Sequence, residues 1–163
     1  MRYLIDGYNL FFRVWQEIFP FQKELESFLK DLDHEIDALG LESVLVLDSC
    51  RDVAEVFPSS KKLQALNVLF SPRGLCADAY ILELLSWKSC LTTLVTSDKE
   101  LALKARRLGA QIQSSEEFVA MLIKNHRKRG EGERDKTTSR ESTENFFRLL
   151  KIFKGRASRD ENA

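Results

Sequence analysis

The chain has 163 residues, 44% of them apolar, with 25 acidic and 25 basic side chains. That is one ordinary domain with an extension and enough apolar content for a core, and its zero net charge gives no whole-chain sign of a nucleic-acid binder. No run approaches the roughly 18 apolar residues of a membrane span, Asp6 interrupts the N-terminal apolar run too early for a signal peptide, and Cys50, Cys76 and Cys90, odd in number and without CxxC spacing, fit reduced thiols in a cytoplasm rather than a disulfide frame or zinc site.

Arg2 to Ile5 reads as a short buried strand that ends at Asp6-Gly7. A helix is predicted from Phe19-Pro20 to about Leu39, because Leu25, Phe28, Leu29, Leu32, Ile36 and Leu39 recur at helical spacing. Pro20 suits its first turn and Gly40 the position after its end. Ser43 to Leu47 is a continuous apolar run ending in Asp48, the pattern of a central parallel strand. Residues 51–64 are polar and irregular and read as a long loop. Leu66 to Phe70 reads as a third strand, broken by Ser71-Pro72-Arg73-Gly74. Cys76 to about Trp87 reads as helical and Leu91 to Val95 as a fourth strand, followed by Thr96-Ser97-Asp98 and a helix to Leu108 that stops at Gly109. Ala110 to Ile112 reads as a fifth, short strand. Ser114-Ser115-Glu116-Glu117 has the form of a capping box, opening a helix that carries Phe118, Val119, Leu122 and Ile123.

Strand and helix alternate to residue 125, the signature of a doubly wound, mostly parallel sheet of four to five strands. Beyond it the sequence divides into a charged linker, 126–142, and a basic amphipathic segment, 143–163. Within the latter, Asn145 to Lys154 (NFFRLLKIFK) suits docking on the body or on a partner. From Asn125 to Ala163 there are 11 Lys/Arg against 7 Asp/Glu, so this part carries +4 and the remainder −4. A basic extension on an acidic body hints at polyanion contact, and a solvated tail explains it equally well. Cys76 and Cys90 are expected in the core, and His34 and His126 on the surface.

The informative feature is where the carboxylates fall. In open parallel sheets, sites form outside the carboxyl ends of the strands. Asp6 follows the first strand, Asp48 the second, Asp98 the fourth within three residues, and Asp78 sits in the first turn of the helix after the third. Each alone has an ordinary structural use: a helix cap for Asp78 and Asp98, a turn for Asp6, strand-end punctuation for Asp48. All four on one edge would repel unless a cation joined them, and oxygen ligands with room for water suit Mg²⁺ or Mn²⁺. Such ions activate water and stabilise charge on a phosphodiester. Asn9 is a candidate to orient Asp6, to contact substrate or to cap the next short helix, and Thr96 and Ser97 are candidate supporting hydroxyls or plain turn residues. Arg51, Lys61, Lys62 and Arg73 fall in loops expected to rim the same edge, where they are candidates to hold phosphates, with solvated loop charges as the ordinary reading.

These residues carry a resemblance. Asp6-Gly7-Tyr8-Asn9-Leu10 is similar to the DGYN opening of the NYN domains in the PIN-like superfamily. Val46-Leu47-Asp48-Ser49, Ala77-Asp78-Ala79-Tyr80-Ile81 and Val95-Thr96-Ser97-Asp98 follow in the order of its YacP-like branch, with Gly109-Ala110 and Ser114-Ser115 in place. The likeness covers about residues 1–125. It implies a PIN-like three-layer α/β/α fold and a cytoplasmic, metal-dependent endoribonuclease acting on single-stranded RNA, with mRNA at the ribosome as a candidate substrate. It also implies that Asp6, Asp48, Asp78 and Asp98 hold the Mg²⁺ or Mn²⁺, with Asn9 in support.

Two departures stand out. Family members often have a glutamate four residues after the Asp78 position, where this chain has Leu82; Glu83, one further on, lies about 140° round the helix from Asp78. An arginine often found early in the first long helix has no counterpart in Phe21 to Lys30. The alternative is therefore a catalytically weak or inactive RNA- or ribosome-binding module on the same fold. A receiver-like or HAD-like phosphoryl-transfer domain fits less well: Asp6-Gly7-Tyr8 is not Asp-x-Asp, and Asp6 has no acidic neighbour.

Overall fold

In a computed structural model, residues 2–14, 21–49, 60–88 and 91–132 are described. The elements run β1 (Arg2–Asp6), α1 (Gly7–Val14), α2 (Phe21–Ala38), β2 (Glu42–Leu47), β3 (Ser60–Lys62), β4 (Leu66–Phe70), α3 (Ala77–Lys88), β5 (Thr92–Val95), α4 (Lys99–Arg107), β6 (Gln111–Gln113) and α5 (Ser115–Gly132). They form one six-stranded sheet in the order β3-β4-β2-β1-β5-β6. All pairings are parallel except β3 with β4. The expected mostly parallel α/β/α architecture is present, with one strand more than the sequence suggested. That strand, β3, lies in the stretch read as loop. It is three polar residues on the sheet edge and has no apolar pattern by which to be recognised.

Period-two alternation divides the strands between two cores. Tyr3, Ile5, Leu45, Leu47 and Val95 face one side and pack with Phe11, Phe28, Leu32 and Phe118 from α1, α2 and α5. Leu4, Val44, Val46 and Leu94 face the other and pack with Ile81, Leu85, Leu101 and Ala105 from α3 and α4. Because helices cover both faces, β1, β2 and β5 are buried almost throughout, which is why they read as unbroken apolar runs. Each fully buried Leu, Ile or Phe is worth about 1.5–3 kcal/mol in removal from water.

The helix ends follow local chemistry. Gly40, at φ 63°, takes the left-handed conformation after α2. The capping box is formed: the Ser114 N–H donates to Glu117 Oε2 (2.9 Å) and the Glu117 N–H to Ser114 Oγ (3.1 Å). α5 continues to Gly132, past Asn125 and into the stretch read as linker. Its extension is pinned by Glu35 of α2, only 3% exposed, which meets His126 Nδ1 at 2.9 Å and also bonds Arg129. His126 is thus a half-buried partner of Glu35 and not the surface residue expected, whereas His34 is exposed. Cys76 is also exposed, contrary to expectation, because it precedes α3 instead of lying on its buried face. Arg51, Cys50, Cys90, the rest of the linker and the segment 143–163 lie outside the described residues.

Candidate active site

Asp6 is the last residue of β1 and is 6% exposed. Gly7 lets α1 begin at once: a Cβ there would lie 2.6 Å from Leu45 Cδ2 and 2.7 Å from the Val46 carbonyl oxygen. A side chain at this position would therefore push α1 away from β2. With α1 seated, the Asn9 N–H donates to Asp6 Oδ1 at 3.4 Å. On the opposite oxygen, Thr96 Oγ1 donates to Asp6 Oδ2 at 2.9 Å, and the same hydroxyl accepts the Asp98 N–H at 3.1 Å. Thr96 thereby joins the ends of β1 and β5.

Asp98 caps α4, its Oδ1 accepting the N–H groups of Glu100 (2.8 Å) and Leu101 (2.9 Å). The cap uses one carboxylate oxygen, so this structural role leaves the other oxygen outside the cap. Asp48 follows β2 and is half-buried; beside it the Ser49 N–H donates to Ser71 Oγ at 3.2 Å, linking the ends of β2 and β4. Asp78 is exposed in the first turn of α3.

The four carboxylates feel one another. Burial raises the Asp6 pKa from 3.8 to about 6; the bonds from Thr96 and Asn9 oppose this, and the charges of Asp78 and Asp98 add to it. Asp78 is also raised, by burial first, then by Asp98, with Lys104 opposing and Asp48 and Glu100 adding. Repulsion of this kind is what a bound cation relieves. The donors are all hard oxygens, which fits Mg²⁺ or Mn²⁺. Among the described residues no three His, Cys, Asp or Glu side chains form a ready-made cage. The carboxylates would hold such an ion together with water, a usual mode for Mg²⁺.

A second layer fixes the loop between β5 and α4. Asn9 Oδ1 accepts the Ser97 N–H at 3.1 Å and the Ser115 hydroxyl at 2.9 Å. The Ser115 N–H donates to Ser97 Oγ at 3.0 Å, and that hydroxyl donates to Glu116 Oε2 at 2.5 Å. Arg13 Nη1 meets Glu116 Oε1 at 2.7 Å. Asn9 and Ser97 thus sit in one network joining α1, the Thr96-Ser97-Asp98 loop and α5. Sequence reading missed Ser115, Glu116 and Arg13 as members. Ser115 and Glu116 read as helix-cap residues, and Arg13 lies 103 positions from its partner. It also missed Lys104 beside Asp78, which pairs with Glu100 at 2.6 Å.

The predicted phosphate contacts divide. Arg73 is exposed in the turn after β4, at the carboxylate edge. Lys61 and Lys62 are not in a rim loop: they lie on β3, the outermost strand, paired with Val68 and Asn67 of β4. Three strand spacings, about 14 Å, separate β3 from β1. Leu82, one turn after Asp78, packs against the α3–α4 core.

The family model of the YacP-like NYN domain matches residues 3–151. No curated protein matches the chain in sequence. Two crystal structures of Rae1 (YacP) from Bacillus subtilis are similar in fold. One, of a single-substitution mutant, is 17% identical with a TM-score of 0.66, covering 96% of this chain and 98% of that one. The other is 19% identical with a TM-score of 0.63, covering 100% of this chain and 98% of that one.

Proposed function

The chain belongs to the YacP-like NYN domain family and has its nuclease-type fold, and from that premise we propose that it is a metal-dependent endoribonuclease cleaving single-stranded RNA. The observation that carries the proposal is Asp6: a carboxylate buried at the end of a central strand, held by Thr96 and Asn9, and coupled to Asp78 and Asp98. A carboxylate at a strand end where burial and two like charges oppose its ionisation is the kind of group that functional sites gather.

In this reading Asp6, Asp48, Asp78 and Asp98 hold Mg²⁺ or Mn²⁺. The cation supplies water activation and charge neutralisation at the phosphodiester. Thr96 and Asn9 orient Asp6; Ser97, through Asn9, fixes the loop that presents Asp98. Arg73 and Lys104 offer positive charge at the same edge for RNA phosphates. Unpaired RNA fits an open edge better than a duplex, because a single strand can lay its backbone along the row of strand ends. We place the enzyme in the cytoplasm, with mRNA on the ribosome as substrate.

A second reading is favoured by Leu82. An apolar side chain where relatives often have a glutamate points to a weak or inactive RNA- or ribosome-binding module. Cleavage of a labelled single-stranded RNA decides between them, with Mn²⁺, Mg²⁺ or EDTA, for wild type and for Asp6→Asn and Asp98→Asn. Metal-dependent cuts that fall at least about 100-fold in both variants, some 2.7 kcal/mol of transition-state stabilisation, are expected. RNA bound without cutting, on translating ribosomes as well as alone, would establish the binding module instead.

A further inference from the structure

β1, β2 and β5 are buried on both faces, but β4 alternates: Leu66, Val68 and Phe70 are buried, and Asn67 and Leu69 on the opposite face are half-exposed. On that face α3 and α4 supply the helical layer, and their core is with Leu4, Val44, Val46 and Leu94. Leu69 packs against that core only in part, and Asn67 beside it is likewise half-exposed. Beside α3 this leaves an apolar groove of about 230 Å³, lined by Leu4, Val44, Leu69, Leu84, Leu85 and Trp87. Arg2 and Thr92, first residues of β1 and β5, also line it, so it reaches the amino-terminal edge of the sheet, opposite the carboxylates. Trp87 is 80% exposed, as is Leu91 at 78%, and the Leu91 carbonyl accepts the Arg2 N–H at that same edge. A tryptophan so placed marks an unpartnered interaction surface.

We propose that this groove is filled by the chain's own C-terminal segment, Asn145 to Lys154. The path allows it. α5 starts at the carboxyl edge after β6 and packs on the other core, so its chain runs back toward the amino-terminal edge. Its 18 residues span about 27 Å, against about 17 Å for the five residues of β1, so it reaches that edge. Crossing from one helical layer to the other takes about 20 Å, two packing distances of roughly 10 Å. The stretch from residue 133 to residue 144 reaches up to about 40 Å.

The chemistry also matches. At helical spacing Phe146, Leu149, Leu150 and Phe153 fall at i, i+3, i+4 and i+7 on one face, Phe147, Ile152 and Lys154 on its borders, and Arg148 and Lys151 opposite. The apolar face suits Trp87, Leu84 and Leu69, and the basic face stays in water. The YacP-like family model runs to residue 151, into this segment, as expected of a part of the domain and not of an appended tail. Docking there would cover the exposed parts of Leu69 and Trp87.

The test uses the full chain with Trp15→Phe, which leaves Trp87 as the single tryptophan. Expected are blue-shifted emission and an acrylamide quenching constant at least threefold below that of free tryptophan, unchanged on hundredfold dilution. Adding Phe146→Asp with Leu150→Asp should raise that constant about threefold. In parallel, a spin label at Ser158→Cys, with the native cysteines replaced by serine, should broaden the methyl signals of Leu69 and Leu84 and spare those of Leu25 in the other core. A fully quenchable Trp87 in the full chain would overturn the proposal. So would protection lost on dilution, which assigns the groove to a second copy, or an unbroadened Leu84, which assigns it to another part of the chain.

Discussion

Asp6 is held by opposing effects. Two hydrogen bonds favour its charged form, while burial and the neighbouring carboxylates Asp78 and Asp98 disfavour it, and the balance puts its pKa at about 6. The folded chain therefore binds the Asp6 proton more tightly than the unfolded chain does. The resulting stabilisation is fully present below about pH 4 and is lost as pH rises through about 6, a change of roughly 3 kcal/mol. Asp6→Asn removes the penalty, so the metal-free variant should be more stable than wild type at pH 7.5, by about 1–3 kcal/mol, with a flatter stability profile between pH 4 and 6. Thermal unfolding across that range measures it, at roughly 2–4 °C per kcal/mol. A wild-type chain that loses no stability over this interval would refute the account. Saturating Mn²⁺ should reverse the order. At a hundredfold excess over its Kd it adds about 2.7 kcal/mol to wild type and little to Asp6→Asn.

At the scale of elements, the site depends on how closely α1 sits against β2. Gly7→Ala brings a methyl group to within 2.6 Å of Leu45 and 2.7 Å of a backbone oxygen. The expected cost is about 1–3 kcal/mol by denaturant unfolding, with weaker metal binding because Asn9 moves with α1. Unchanged stability and Mn²⁺ affinity would show that the contact relaxes freely. A separate joint lies between α2 and α5. Glu35→Ala leaves His126 and Arg129 half-buried without their carboxylate, and should cost about 2–3 kcal/mol. Hydrogen exchange should show the last turns of α5 opening first, while protection of β1 and the Thr96-Ser97-Asp98 loop persists. Simultaneous loss in both places would mean that α5 and the carboxylate edge unfold as one unit.

Over the whole molecule, sequence and tertiary structure contributed different things. Continuous apolar strands, helical spacing, the capping box at Ser114 and the positions of Asp6, Asp48, Asp78 and Asp98 after strands or at a helix start were legible in the chain. Each is a local pattern, fixed by backbone geometry and by burial of one face. The strands that precede the four carboxylates run parallel, so their carboxyl ends, and with them the carboxylates, share one edge. Only tertiary structure decided that Thr96 bonds Asp6, that Ser115, Glu116 and Arg13 complete the Asn9 network, and that the Lys104 charge acts on Asp78. It also decided that Lys61 and Lys62 lie on a distant edge strand and that His126 is a partner of Glu35. These contacts join residues far apart in sequence, and a polar side chain carries no local mark of its partner. An apolar residue reveals its burial through periodicity; a hydrogen bond or ion pair exists only once the fold has brought both groups together.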